Sequence, residues 1–349
     1  MIARIPSPAA RTLAALAAVG LAALTLTACS GSKSGSSAGS ITVYSGQHEQ
    51  TTQSLAQAFE KQTGIKVNVR YDDEDTFADE IVQEEKHPVA DVFYTENSPV
   101  LEDLQEKGLL ASVDSSTLAA IPSKYNSPAG DWVGVSARVS VIVYNPSLIS
   151  AAQLPASVMD LADSKYAGKL GLAPGETDFQ PIVTSVERTY GQAKALSWLK
   201  SVKANAGDNS YPDNETLVDE VNRGAVAFGV LNQYYWYRMQ AELGASAMHS
   251  KVAYFAPHDP GYVVDVSGAA VLKSSKNQAD AQKFLAFLTS KAGQTIIKDS
   301  ISFEYPLGDG VSASSEEPAL STLQPTDLTV PELGDGSAAI ALLQQSGLL

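Results

Sequence analysis

Residues 41–71 read ITVYSGQHEQTTQSLAQAFEKQTGIKVNVRY, and this stretch decides the fold. A β-rich run at 41–44 is followed by apolar residues at helical spacing over 51–63, with Gly64 just past their end. An alternating, β-rich run at 65–71 comes next. A strand, a helix and a strand in this order predict two parallel strands joined by a right-handed crossover.

The same alternation continues along the chain. It predicts an α/β protein with a mostly parallel sheet, in which ligands bind beyond the carboxyl ends of the strands. The β-rich run at 132–144 is long enough to pass between two lobes. The other predicted strands are 90–94, 169–173, 225–231, 252–255 and 263–272. The other predicted helices are one around Phe77 to Val82, one capped by Ser98 and closed by Gly108, and those at 192–204, 214–223, 233–243, 278–290 and 338–345.

The first forty residues have the pattern of an exported lipoprotein. A basic start and an apolar run predict a signal peptide over residues 1–28. Cys29 is the only cysteine, and the preceding Leu-Thr-Ala resembles a bacterial lipobox, so we expect Cys29 to carry lipid. A plain cleaved signal with an incidental cysteine is the alternative. Residues 29–40 are rich in Ser and Gly and predict a flexible tether. The protein is therefore expected to be exported, and either lipid-anchored to the outer face of the cell membrane or periplasmic.

Length and charge restrict the class of protein. The 349 residues indicate about two domains. The formal net charge of −15 at pH 7 argues against nucleic acid or an anionic membrane surface as a partner. An acidic chain suits a cationic ligand. A surface charge that keeps the protein in solution explains the same net charge equally well. The sequence contains neither the His-Glu-x-x-His motif of metalloproteases nor a P-loop, so an exported enzyme is the less supported reading.

Three groups of candidate ligands each follow a predicted strand. His48 comes after strand 41–44, Glu96 after strand 90–94, and the pair Tyr234 and Tyr235 after strand 225–231. Taken singly, each is more often a surface or core residue than a ligand. Because all three follow strands at the same edge of an α/β sheet, we expect them to lie close together.

The motifs around these residues resemble those of the periplasmic ferric-ion-binding proteins of iron ABC importers. They read YSGQHEQ, ADVFYTENSPVLEDLQEKGLL, NQYYWYRM and DPGYVVDVSGAAVLKSSKNQADAQKFLAFL, and the resemblance covers residues 41–307. It implies an α/β, two-lobed periplasmic-binding-protein (type II-like) fold with hinge strands and an interlobe cleft. We place the N-terminal lobe at residues 41–140 plus 265–315 and the C-terminal lobe at 141–264 plus 316–349.

The resemblance also implies which residues bind the transported ion. In that family a His, a Glu and two adjacent Tyr bind iron(III), and the matching residues are His48, Glu96, Tyr234 and Tyr235. The chemistry agrees, because two phenolates and one carboxylate would neutralise the charge of this hard cation. Zinc sites more often use Cys or several His, and calcium sites use carboxylate and carbonyl oxygens without a Tyr pair.

The family completes the metal's coordination with an exogenous anion, and phosphate or carbonate is implied here. Asn97, Asn214 and Asn232 match its anion-contacting residues. Thr177 belongs to a helix N-terminus expected near residues 176–179, where exposed N–H groups favour an anion. Arg138 could pair with the anion or form a structural salt bridge.

The turn at residues 175–178 departs from the family pattern. It reads Gly-Glu-Thr-Asp, where relatives often carry small residues. Glu176 and Asp178 would repel phosphate if they faced the site, and they would be harmless if they capped the helix and faced solvent. The identity of the anion stays open for this reason.

The resemblance implies transport by hinge closure. The two lobes would close on the metal, and the closed form, a monomer, would dock on an ABC permease in the membrane. Relatives of the same fold carry oxyanions, polyamines or other metals, so another small solute is the alternative cargo.

Overall fold

The computed structural model describes residues 39–84, 87, 89–308 and 310–349. The strands are Ser40–Ser45 (β1), Lys66–Tyr71 (β2), Val92–Thr95 (β3), Val133–Tyr144 (β4), Leu170–Gly171 (β5), Phe228–Asn232 (β6), Lys251–Ala253 (β7), Val264–Val271 (β8) and Tyr305–Pro306 (β9). The helices are Glu49–Thr63 (α1), Glu74–Gln83 (α2), Pro99–Glu106 (α3), Ser115–Leu118 (α4), Gln180–Tyr190 (α5), Gln192–Ala206 (α6), Asn214–Arg223 (α7), Gln233–Leu243 (α8), Gln278–Leu288 (α9), Lys291–Asp299 (α10) and Ser337–Ser346 (α11).

The predicted signal peptide at 1–28 and the lipidated Cys29 lie outside the described residues. The predicted tether ends slightly earlier than expected, because Ser40 already belongs to β1 and pairs with Lys66 of β2. None of the helices within the described ranges is both long enough and apolar enough to cross a membrane.

The sheet is mixed, and the prediction of a mostly parallel sheet is wrong. The strand order is β2-β1-β3-β8-β4-β6-β5, and β7 and β9 pair with β4. The pairs β1–β2, β1–β3 and β5–β6 are parallel, whereas every pair that includes β4 or β8 is antiparallel. Alternation of helices and strands gives the class of fold, but it does not fix the direction of two long strands that cross the molecule.

Of these two long strands, β4 connects two groups of strands, which is the expected two-lobed arrangement. The first half of β4 pairs with β8 and β9, and its second half pairs with β6 and β7. All twelve residues of β4 are buried. The division of the chain between the lobes at residues 140, 264 and 315 stays a prediction.

Local features explain where several elements begin and end. Gly64 ends α1 in the left-handed conformation, with φ 75°, as the sequence predicts. Ser98 precedes α3, but its side chain does not cap that helix. Its hydroxyl donates instead to Asp265 Oδ1 of β8, at 3.0 Å, and so ties the helix to a crossing strand. The sequence patterns do not predict α4, α5 or α10, apart from the helix start expected at 176–179, where a 3-10 turn leads into α5.

Candidate metal centre

The four predicted ligands line one cavity of about 410 Å³. His48 follows β1, Glu96 follows β3, and Tyr234 and Tyr235 lie in the first turn of α8. The first two come from one group of strands and the tyrosines from the other. The full lining comprises Gly46, His48, Asp73, Glu74, Asp75, Thr76, Glu96, Gly175, Glu176, Thr177, Glu215, Tyr234 and Tyr235.

A buried carboxylate holds the loop that carries Glu96. Glu74, the first residue of α2, accepts hydrogen bonds from the hydroxyl of Thr95 and from the backbone N–H groups of Glu96 (3.0 Å) and Asn97 (2.9 Å). Its other oxygen accepts from Asn97 Nδ2 at 2.8 Å. Four donors on one carboxylate leave this loop little freedom, so Glu74 fixes the position of Glu96.

A glycine allows α2 to approach β1 this closely. A Cβ on Gly46 would lie 2.8 Å from Glu74 Cβ and 3.0 Å from its Cα. Any side chain at this position would therefore push apart the loops that carry His48 and Glu96.

His48 and Glu96 contact one another directly. The distance between His48 Nδ1 and Glu96 Oε1 is 3.0 Å, and His48 Nε2 is buried without a hydrogen-bond partner. Burial lowers the pKa of His48 to about 4, so the imidazole is neutral and keeps a lone pair for a ligand. Burial raises the pKa of Glu96 to about 8, against the opposing effect of Arg138.

The two tyrosines stack and share one acceptor. Their ring centroids lie 4.1 Å apart. Both hydroxyls donate to Asp178 Oδ2, from Tyr235 at 2.9 Å and from Tyr234 at 3.3 Å. Burial first, and then the charge of Asp178, holds the pKa of both phenols well above the ordinary value. Both are neutral at pH 7 unless a strong Lewis acid replaces their protons.

Asp178 and Glu176 face the site, so the interpretation that they face solvent is wrong. Asp178 is buried, and its Oδ1 has no hydrogen-bond partner. Glu176 lines the cavity and is half-buried, and burial raises its pKa to about 8. The sequence left the orientation of this short turn open because both alternatives fit the same four residues.

Three of the predicted anion contacts are already hydrogen-bonded to groups of the chain itself. Asn97 Nδ2 donates to Glu74 and also to Thr177 Oγ1, at 2.8 Å. Asn214 Nδ2 donates to Asp178 Oδ2 at 3.2 Å. The remaining asparagine, Asn232, is buried at the end of β6 and does not line the cavity.

Arg138 is fully buried among carboxylates. This matches the second of its two expected roles, a structural salt bridge, and not contact with an exogenous anion. Its Nη2 lies 3.4 Å from Glu96 Oε2 and 3.5 Å from Glu304 Oε1, and its Nε lies 3.8 Å from Asp178 Oδ1. Burial alone lowers the pKa of this guanidinium, and the surrounding carboxylates outweigh that effect and hold it above its usual range. Arg138 lies on β4, the strand between the two groups. Its guanidinium therefore contacts acids that come from both groups.

Sequence reasoning did not find Glu74 and Glu304. Glu74 stands in an Asp-Glu-Asp run that resembles the solvated first turn of a helix, and nothing near Glu304 signals burial. Within the part of the chain that the structure describes, no group of three or more His, Cys, Asp or Glu is placed to hold a metal ion. The arrangement found here depends on the two tyrosines.

The chain is similar to several known proteins. Residues 87–327 match the family model described as bacterial extracellular solute-binding protein. The chain is 36% identical to the Fe(3+)-binding periplasmic protein of Serratia marcescens over 97% of this chain and 99% of that one. It is 35% identical to the major ferric iron-binding protein of Neisseria meningitidis, over 88% and 93% of the two chains. The crystal structure of iron-bound HitA from Pseudomonas aeruginosa superposes with a TM-score of 0.85 and 39% identity, over 88% of this chain and 99% of that one.

Proposed function

Because the chain belongs to the bacterial extracellular solute-binding proteins, among the periplasmic ferric-ion-binding proteins, we propose that it binds iron(III) in the cavity between its lobes and delivers it to an ABC permease. The family consists of substrate-binding transport proteins and not of enzymes. The relatives named above are called ferric-iron-binding, and this supports the same cargo here.

One observation carries the proposal: an imidazole, a carboxylate and two phenols, from opposite groups of strands, line the same cavity. Anionic oxygen is the donor type that a hard trivalent cation prefers. The neutral imidazole of His48 adds a lone pair, and its orphaned Nε2 lies among these donors. In this proposal, His48, Glu96, Tyr234 and Tyr235 are the protein ligands, and the metal joins the lobes only when they are closed.

Asp178 supplies a further donor in place of an exogenous anion. It accepts hydrogen bonds from the two phenol hydroxyls through Oδ2, and its Oδ1 has no hydrogen-bond partner and lies 3.8 Å from Arg138 Nε. Iron(III) would replace the phenol protons and would face four negative charges, from Glu96, Asp178 and the two phenolates. Arg138 offsets the extra negative charge from within 3.4 Å of Glu96. An exogenous phosphate or carbonate is the second candidate. It has less support, because Asn97, Thr177 and Asn214 already bind one another or the chain's own carboxylates.

The test is a titration with iron(III) monitored by visible absorption, with and without phosphate, carbonate or citrate. Phenolate bound to iron(III) gives a charge-transfer colour, so a coloured protein without added anion supports both the cargo and the role of Asp178. A coloured protein only with phosphate or carbonate supports the exogenous anion. A protein that stays colourless after desalting in every condition contradicts the iron site, and the alternative cargoes (an oxyanion, a polyamine or another metal) then follow.

Export and anchoring belong to the same proposal. The name of the Serratia marcescens relative places that protein in the periplasm, and a lipid on Cys29 would keep this chain, as a monomer, beside its permease. Incorporation of a labelled fatty acid in wild type, and its loss in Cys29→Ser, is the expected result. Absence of label from both proteins would leave a plain cleaved signal, and equal labelling of both would exclude Cys29 as the lipidated residue.

A further inference from the structure

The mouth of the cavity is ringed by acids that are not among the proposed ligands. Asp73 and Asp75 lie at the start of α2, Glu176 precedes the turn into α5, and Glu215 lies in the first turn of α7. Asp73, Asp75 and Glu215 are exposed, and Glu176 is half-buried. Two of the four come from each side of the cavity, so a molecule that enters it meets carboxyl groups from both sides.

Almost nothing neutralises this ring. None of the described residues that line the cavity is Lys or Arg. Glu215 has one basic partner, Arg238, whose Nη1 lies 3.4 Å away in an exposed pair. Over the described ranges, no Lys, Arg or His nitrogen lies within 4.0 Å of a carboxylate oxygen of Asp73, Asp75 or Glu176. Asp73 and Asp75 therefore act on an approaching charge without a paired cation. Glu215 is partly offset by Arg238, and burial raises the pKa of Glu176 to about 8, so Glu176 contributes less charge at pH 7.

The helix N-termini at the mouth do not offset the acids. Exposed N–H groups at a helix start ordinarily attract anions. At α7 the Asp213 carboxylate caps the helix by accepting from the N–H of Thr216 at 2.6 Å. At α2 no side chain caps the N–H groups, but the N-cap Asp73 and the first-turn residues Glu74 and Asp75 are all acidic. An incoming anion therefore meets the chain's own carboxylates at both helix starts.

The interior of the site points the same way, and this observation is independent of the mouth. Asp178, whose side chain is only 4% exposed, accepts from both phenols through Oδ2, and its Oδ1 has no hydrogen-bond partner and lies 3.8 Å from Arg138 Nε. Arg138, a buried cation near these groups, already forms ion pairs with Glu96, Asp178 and Glu304. The inner part of the site thus lacks a counter-charge for a second anion.

We propose that the cleft takes up iron(III) as a hydrated ion or in a cationic or neutral complex, and excludes iron held in an anionic chelate. This rests on the proposed function. Carboxylates that line a cleft focus the field within it, which raises the local concentration of cations and lowers that of anions. The ring acts on entry, before any proposed ligand touches the metal.

The experiment compares iron donors of graded charge. Iron(III) with one, two or three acetohydroxamates is doubly positive, singly positive or neutral, and ferric EDTA is anionic. Loading is measured by stopped flow as quenching of the intrinsic tryptophan and tyrosine fluorescence. The test variant is Asp73→Asn/Asp75→Asn/Glu215→Gln, in which no proposed ligand changes. The first substitution preserves the start of α2, because asparagine is as good a residue as aspartate at a helix N-cap. For each donor, the loading rate of the variant is divided by that of wild type. How fast the donor itself releases iron affects both rates equally and so drops out of the ratio.

A matched control removes the same amount of charge elsewhere. It carries the three changes Glu106→Gln, Asp208→Asn and Asp299→Asn, at exposed positions outside the cavity lining. We expect the test variant to load about tenfold more slowly than wild type from the cationic donors, in line with electrostatic steering. We expect an unchanged rate from the neutral donor and a faster rate from ferric EDTA, and a control whose ratios stay near one.

A ratio that is the same for every donor charge, or a control that behaves like the test variant, overturns the exclusion of anionic chelates while leaving the iron site intact. A wild-type protein that is quenched by none of the donors overturns the proposed function itself. The two failures are therefore distinguishable in the same data.

Discussion

The tyrosine pair offers the most direct test of the site. In Tyr235→Phe the ring keeps its stacking on Tyr234, at 4.1 Å between centroids, and loses only the hydroxyl that donates to Asp178 at 2.9 Å. One hydrogen bond to a charged group contributes about 1.5–3 kcal/mol. Part of that is recovered because Asp178 keeps Tyr234 and Asn214 as donors. The stability that is still lost is small compared with a total free energy of unfolding of about 5–15 kcal/mol, so the variant should fold.

Iron affinity should fall far more than stability. The variant removes one anionic oxygen from a buried site, and losing one member of a buried charged pair costs about 2–5 kcal/mol. That range corresponds to an affinity about 30-fold to several thousand-fold weaker. The charge-transfer band should weaken as well, because one phenolate remains. Tyr234→Phe should behave in the same way, and the double variant should be colourless.

Tyr237→Phe is the matched control. Tyr237 lies on the same helix and is buried, but it does not line the cavity. Iron affinity is measured by competition with a chelator of known strength, and folding by circular dichroism and chemical denaturation. If Tyr235→Phe and Tyr237→Phe bind iron equally well and as tightly as wild type, the Tyr pair is aromatic packing and the reasoning is refuted.

Three further predictions concern the groups around the ligands. Gly46→Val should lower both stability and iron affinity, because its Cβ would meet Glu74 Cβ at 2.8 Å; the denaturation midpoint and the chelator competition should fall together. Arg138→Met should lower the free energy of unfolding at pH 7 by about 3–5 kcal/mol, because it leaves Glu96, Asp178 and Glu304 buried without their cation, and an unchanged denaturation curve would contradict that role. Burial raises the pKa of Glu317 from 4.5 to about 8, so its ionisation opposes folding. Wild type should therefore lose stability relative to Glu317→Gln as the pH rises between these two values, and parallel unfolding free energies from pH 5 to pH 9 would exclude this.

The helices and strands that carry the site can be predicted from the sequence, because the periodicity of apolar residues is a local property of the chain. Alternation predicts β1 and β2, helical spacing predicts α1 and α8, and a glycine in the left-handed conformation ends α1. His48 and Glu96 come directly after the neighbouring parallel strands β1 and β3, and this predicts that they meet at one edge of the sheet. The Tyr pair follows β6, in the other group of strands, so the same rule does not explain why it meets them. The family resemblance, also in the sequence, is borne out by the relatives.

Burial of the acids could not be read from the sequence. Glu74, Asp178 and Glu304 resemble ordinary surface acids along the chain, and only their neighbours in space identify them as buried. Asn97 and Thr177 were expected to contact an anion, and in the folded chain they contact each other. A polar side chain can satisfy its hydrogen bonds in many ways, and the choice depends on residues as distant as 80 positions in sequence.

The sequence alone thus determined the α/β class, the crossing strand and the meeting of His48 with Glu96, because periodicity and strand ends are local properties. The arrival of the Tyr pair at the same cavity, from the other group of strands, depended on the tertiary structure. The tertiary structure alone decided the antiparallel direction of β4 and β8, the inward orientation of Asp178 and the enclosure of Arg138 by carboxylates. These depend on which distant segments pack together, and a buried charge is stable only where such segments bring its partners within a few ångströms.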